Sequence, residues 1–151
     1  MALVNVLADV ISPAELAVWR TLQRAQATII RRIESELLER HGLQLASFDV
    51  LQQLAQATGQ RLRMNDLADR VLLSRSGLTR LVDRLEREGL VERHACPSDA
   101  RGLFAVLTDC GRGRLEEATP TYHRRIRTCF LDRLGADELR QVAATASKLA
   151  E

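Results

Sequence analysis

Lysine is almost missing from this sequence. Of its 22 basic residues only Lys148 is a lysine and the rest are arginine, while 20 acids bring the formal net charge to just +2. Basicity can therefore act only locally, through where the guanidinium groups stand. GC-rich codon usage gives the same bias, so the informative question is whether any arginines are placed for bidentate chemistry, which an ammonium cannot supply. Cysteine is scarce as well. Cys96, Cys110 and Cys129 are odd in number and lack metal-site spacing, which argues against a disulfide framework and reads as reduced thiols in a cytosol. The opening MALVNVLADVI is apolar, but it has no basic n-region and is far too short to span a bilayer; no membrane association and a cytoplasmic location are expected. His41, His94 and His123 show no ligand spacing with one another or with cysteine, no Ser-His-Asp arrangement is suggested, and the glycines of CGRGR do not follow a strand in a phosphate-loop pattern. Neither an enzyme nor a cofactor or metal is expected.

What is present is enough for one domain. At 151 residues and 46% hydrophobic, the chain can bury a core without staples, and neither an internal repeat nor a low-complexity linker divides it. The stretch SPAE at 12–15 combines a Ser N-cap, Pro at the first helical position and Glu where a capping box needs it. The helix it starts carries Leu16, Trp19, Leu22, Ile29, Ile30, Ile33 and Leu37 at helical period, with Gln23 and Gln26 close to that stripe, and it stops at Gly42 in a left-handed cap. Ser47 is read as the cap of a second helix, FDVLQQLAQAT, which Gly59 stops. MNDLADRVLLS follows as a short helix capped by Asn65, and a tight turn leads to a helix capped by Ser74. Two short helices joined by a turn outline a helix-turn-helix.

Beyond Gly89 the pattern becomes extended. LVERHA and LFAVLT flank the turn-forming CPSDARG, predicting a hairpin, with Gly102 freeing the backbone beside an Arg101 presented at the tip. Thr108 caps a helix from about Asp109. Pro120 lies inside it and would cost roughly 3 kcal/mol in a regular interior, which predicts a break with Thr119 and Pro120 as cap and first position of a second piece. GADELRQVAATASKLA supplies a last amphipathic helix with Leu139, Val142, Ala146 and Leu149 facing in.

The most informative stretch is LSRSGLTRLVDRLEREGLV, residues 73–91. At about 100° per residue Leu78, Leu81, Val82 and Leu85 share one face, while Ser76, Arg80, Asp83 and Arg87 lie opposite, with Thr79 and Arg84 on the shoulders. In an isolated helix this would be a solvated face laced with Arg–acid pairs. A short helix before it and a hairpin after it are, however, the geometry that presses an exposed helix into a major groove. Arginine can bond guanine O6 and N7 together, and small hydroxyls permit close approach. Glu86 and Glu88 come late, so residues 74–84 form the candidate reading edge.

Read together, LADRVLLSRSGLTRLVDRLEREGLVERHACPSDARGLFAVLTDCGRGRLEE and the Asp-x-Arg wing at Asp99-Ala100-Arg101-Gly102 resemble the winged helix-turn-helix of MarR-type bacterial transcription regulators, and the flanking helices extend the likeness to nearly the whole chain. The resemblance implies a mainly α fold with a small β-hairpin wing (α+β): one domain over 1–151, with a winged helix-turn-helix lobe at about 47–108 and dimerisation helices at about 1–42 and 109–151. It implies a homodimer that binds double-stranded DNA at a pseudo-palindromic operator, a repressor released by a small aromatic or phenolic effector. By position it implies Ser74, Ser76, Thr79 and Arg80 at base edges or nearby phosphates and Arg101 at the wing tip in a minor groove; Arg75 and Arg84 are expected at phosphates, which position without specifying, and Asp99 holds Arg101 or the turn.

Two weaker signals stand beside these. Trp19, the only tryptophan, with Gln23 and Gln26 has the makings of an effector-pocket wall, because polar groups beside a large aromatic orient small molecules; core or subunit interface is the plainer reading. Cys110 in a helix first turn, where the dipole lowers thiol pKa, and Cys96 in the wing leave a thiol-based redox regulator as an alternative. Another is a winged-helix protein-interaction module that does not read DNA.

Overall fold

The computed structural model describes residues 10–150, apart from the side chains of Ala100 and Arg101; most of the apolar opening MALVNVLADVI lies outside the described residues. The chain is mainly helical, with one small antiparallel sheet. Helix α1 (Pro13–His41) begins as its sequence dictates: the Glu15 amide donates to Ser12 Oγ (3.2 Å), and the Ser12 amide donates to the Glu15 carboxylate (2.7 Å). It ends at Gly42, whose φ of 60° is the left-handed cap that spares a side chain strain. Of the expected stripe, Ile33 and Leu37 are buried, whereas Trp19 and Leu22 are about half exposed. The N-terminal part of α1 thus extends past the chain's own core.

Helix α2 (Leu45–Gln56) opens three residues earlier than a cap at Ser47 predicts. Its N-cap is Gln44, which makes no side-chain cap bond, and Ser47 is the third helical residue, buried and turned inward. A serine before an apolar run has the same local signature in either role; here a tertiary partner, Arg84, decides. The helix stops at Gln56, before Gly59, which instead bends a short 3₁₀ turn, Thr58–Gln60, at φ 66°. Strand β1 (Arg61–Arg63) leads directly into α3 (Met64–Arg70), whose N-cap is Arg63, so Asn65 lies inside the helix and does not cap it. A turn with Leu72 at φ 56° then delivers α4 (Arg75–Arg87).

Strand β2 (Val91–Cys96) and β3 (Asp99–Leu107) form the hairpin, and β1 pairs with the far edge of β3, giving the order β1-β3-β2. Helix α5 (Asp109–Cys129) is capped as expected by Thr108, whose Oγ1 accepts from the Gly111 amide at 2.9 Å. Gly111 is required by contact: a Cβ there would sit 2.1 Å from the Leu90 carbonyl oxygen, so only glycine lets α5 cross the base of the hairpin. Pro120 does not break α5, contrary to the sequence expectation. Pro120 and Glu116 both lie on the exposed side, where the carbonyl deprived of its amide partner is open to water. Leu115, Ala118 and Thr121 are buried around it and hold the helix against the core.

One continuous core joins Leu37, Phe48, Leu51, Leu54, Leu67, Leu78, Val82, Leu85, Val91 and Ala105, so the helix-turn-helix rests on α2 and the root of α1. Helix α6 (Ala136–Ala150) has no buried residue: of the face expected to point inward, Leu139 is half-buried, Val142 and Ala146 are exposed, and Leu149 is 72% exposed. No helix among the described residues is long and apolar enough to cross a membrane.

Candidate nucleic-acid interface

Helix α4 is held from below by four apolar side chains. Leu78, Leu81, Val82 and Leu85 are all buried, which fixes the opposite face toward solvent. Its start is capped by Ser74, whose Oγ accepts from the Gly77 amide at 3.1 Å and lies 3.3 Å from Ser76 Oγ. Thr79 Oγ1 donates to the Arg75 carbonyl at 2.9 Å. Ser74, Arg75, Ser76, Thr79 and Arg80 are exposed together on one edge. Arg75 and Arg80 make no ion pair among the described residues, so their guanidinium groups are available to an external anion or base edge.

Arg84 is placed differently. Its Nη2 donates to the buried Ser47 Oγ at 3.0 Å and its Nε lies 4.0 Å from the Glu88 carboxylate. This arginine braces α4 against α2, a tertiary role that its position on the helix shoulder did not reveal.

The sequence reading missed Arg93. From β2 its Nη2 reaches the Asp83 carboxylate at 2.6 Å and the Thr79 carbonyl at 3.3 Å, its Nη1 reaches Glu86 at 2.7 Å, and its backbone amide donates to the same Glu86 carboxylate at 3.1 Å. The acids that would repel phosphate from α4 are thereby neutralised from the wing. A signal was available: strand alternation puts Arg93 on the inward side with the buried Val91, and an inward arginine needs a carboxylate partner.

In the wing, Pro97 and Ser98 form the turn, and Arg101 belongs to β3, three residues beyond Ser98. The expected tip position is therefore corrected. The pairing runs Ala95 with Leu103 and then Cys96 with Asp99, a register shift at the Ala95–Cys96 step that makes 100–102 a bulge within β3. Gly102 supplies space, since a Cβ there would meet Cys96 Sγ at 3.0 Å. Asp99 stands 3.9 Å from Arg63 of β1. The contact of the Arg101 side chain lies outside the described residues.

Trp19, Gln23 and Gln26 are exposed along one side of α1. The opposite side of the helix, with the end of α5, borders a shallow, open groove lined by Arg24, Thr28, Ile29, Arg32, Cys129 and Arg133. Cys96 is buried beneath the wing and Cys110 is exposed at the second position of α5.

Residues 41–102, the span that carries the helix-turn-helix and the start of the wing, match the model of the MarR family. The crystal structure of Sco3205 from Streptomyces coelicolor, a MarR family transcriptional regulator in complex with DNA, superposes with a TM-score of 0.90 at 32% identity, covering 94% of this chain and 89% of that one. AbsC, a MarR family regulator of the same organism, superposes at 0.88 with 31% identity over 93% of this chain and 95% of its own. The HTH-type transcriptional regulator MhqR of Bacillus subtilis is 32% identical over 111 residues, 74% of each chain. This chain belongs to the MarR family. It is a MarR-family transcriptional regulator with a winged helix-turn-helix.

Proposed function

We propose that this MarR-family chain binds double-stranded DNA in a sequence-specific manner as a homodimer on a pseudo-palindromic operator, acting as a repressor that a small aromatic or phenolic effector releases. The observation that carries the reading is the edge of α4: cap hydroxyls, Thr79 and two arginines without an ion pair among the described residues stand together on a helix whose Asp83 and Glu86 are neutralised by Arg93. Small hydroxyls and arginine are what base edges and flanking phosphates accept. Ser74, Ser76, Thr79 and Arg80 are assigned to base edges or adjacent phosphates, Arg75 to phosphate and Arg101 to the neighbouring minor groove, with Asp99 supporting the wing. The relative Sco3205, solved in complex with DNA, supports DNA binding by this fold.

Dimerisation is supported by apolar surface that the single chain leaves open: Trp19, Leu22 and Ile30 on α1, and Val142 and Leu149 on α6, all more than two-fifths exposed. A symmetric partner buries both sets at once and spaces two reading helices along one face of the duplex. An effector is supported by the shallow groove between α1 and the end of α5, where three arginines surround an apolar floor suited to a small acidic aromatic; Trp19, Gln23 and Gln26 face the other way and would meet a ligand only across the subunit interface.

Selection of bound fragments from random duplex DNA tests the reading. Recovery of an inverted repeat, with light scattering at twice the chain mass, is the expected outcome; retention of duplexes with no enriched sequence would refute it.

A further inference from the structure

When α4 occupies a major groove and the wing the adjacent minor groove, the sugar-phosphate backbone that separates the two grooves must pass between α4 and β3. The chain has a cleft in that place. It measures about 380 Å³ and is bordered by Arg63, Asn65, Thr79, Arg93 and Asp99. Two cations face it. Arg93 is spent, with only 17% of its side chain exposed and both Asp83 and Glu86 within 2.7 Å. Arg63 is 46% exposed and sits 3.9 Å from Asp99, a separation at which a solvent-exposed pair is weak.

Arg63 is also held in place. Its guanidinium carbon lies 5.8 Å from the centroid of Phe104, and that of Arg61 lies 5.0 Å from the same ring. The cross-strand register explains the stack: Arg63 is opposite Phe104 and Arg61 is opposite Val106, all on the outer face of the sheet. Cation–π contact orders both side chains without consuming their N–H donors, and Arg63 keeps only the 3.9 Å contact to Asp99 among the ion pairs of the described residues. Two guanidinium groups on one ring repel each other, and Arg61 has no carboxylate partner among the described residues. An anion placed beside them relieves that repulsion.

From this we infer that Arg63, ordered by Phe104, clamps the phosphate backbone bridging the two grooves, with Arg61 adding charge behind it. The inference rests on the proposed DNA-binding function and assigns to β1 a contact separate from α4 and the wing tip. A phosphate clamp strengthens binding to every sequence alike.

The test measures anisotropy of the full-length protein with two labelled duplexes of equal length, one selected by the protein and one scrambled, over a salt series. Arg63→Ala and Arg63→Gln should each lose about tenfold in affinity per subunit on both duplexes. The slope of log affinity against log salt should become shallower by about 0.9 for each phosphate contact removed. Phe104→Leu should lose less than Arg63→Ala and nothing further when combined with it, a coupling that a merely structural ring would not show. Circular dichroism confirms that each variant is folded. Unchanged affinity and slope in both Arg63 variants overturn the inference, as does a loss confined to the selected duplex. Failure of the unaltered protein to bind either duplex would instead overturn the proposed function.

Discussion

Arg93 of the wing strand and Asp83 of the reading helix are joined at 2.6 Å, and the same guanidinium reaches Glu86 at 2.7 Å. Hairpin and helix are therefore one rigid body. Arg93→Ala leaves two carboxylates uncompensated on the face proposed to approach phosphate. Because both acids are more than two-fifths exposed, the stability loss should be small, about 1 kcal/mol, while affinity for any duplex should fall by roughly tenfold at low salt and less at high salt. Adding Asp83→Asn and Glu86→Gln should restore much of the binding. Anisotropy measurements in which the triple variant binds no better than Arg93→Ala would show that the clamp matters through shape alone.

Arg80 and Arg84 are one helical turn apart and should behave oppositely. Arg80 is exposed and makes no ion pair among the described residues; Arg80→Ala should cost about 1–3 kcal/mol per half-site on the operator and relax sequence preference. Arg84 donates to the buried Ser47 hydroxyl, so Arg84→Ala should cost about 1 kcal/mol of folding stability and leave operator preference intact. Urea melts alongside operator and random-DNA titrations separate the two roles.

The contrast between these arginines marks what was legible in the sequence. Caps at Ser12, Ser74 and Thr108 were readable because their bonds reach only three residues along the chain, and the apolar face of α4 was readable because helical period alone generates it. Ser47 and Arg84 are 37 positions apart and Arg93 and Asp83 are 10; neither pairing follows from local periodicity, so one residue was taken for a cap and another passed over. Pro120 failed for a related reason, since its cost depends on whether the orphaned carbonyl reaches water. The family resemblance supplied the wing arginine, but strand register, invisible in one sequence, moved it off the turn.

Two carboxylates should give opposite responses to pH. The hydrogen bond from Arg124 holds Glu36 below its ordinary 4.5, with the charges of Arg125, Arg124 and Arg40 adding to it against the effect of burial. A depressed folded value means the contribution is complete above 4.5 and disappears as pH falls through that lower value. Burial raises Asp49 above its ordinary 3.8, so its contribution is largest below 3.8 and is lost as pH rises through the folded value. Glu36→Gln should destabilise at neutral pH and Asp49→Asn should stabilise there, both effects fading in acid. Thermal melts from pH 3 to 7 that show the same sign for both variants would contradict this assignment.

Leu72 lies in the turn between α3 and α4 at φ 56° and is 91% exposed. A leucine in the left-handed region costs about 1–2 kcal/mol and here recovers little by packing. Leu72→Gly relieves the strain but loosens the unfolded chain, so a net gain of roughly 0.5–1 kcal/mol is expected, read as a higher urea midpoint. A lower midpoint would mean that the exposed side chain contributes to the turn.

Arg101 begins from a different backbone than its sequence suggested. It is not at the Pro97–Ser98 turn but in β3, at 100–102, where the register shifts between Ala95 and Cys96. A bulged segment next to the hairpin turn can still project beyond the sheet, which keeps minor-groove entry as the proposal. Narrow A/T tracts concentrate negative potential there and favour guanidinium. Arg101→Ala should therefore weaken operators with A/T flanks more than operators with G/C flanks, at unchanged dimer mass and melting temperature. Arg101→Lys should recover only part of the loss, because ammonium holds its hydration more tightly. Equal losses on both flank types would reduce Arg101 to a general charge, and no loss on either would remove the wing from the DNA interface, leaving α4 and Arg63 to hold the duplex.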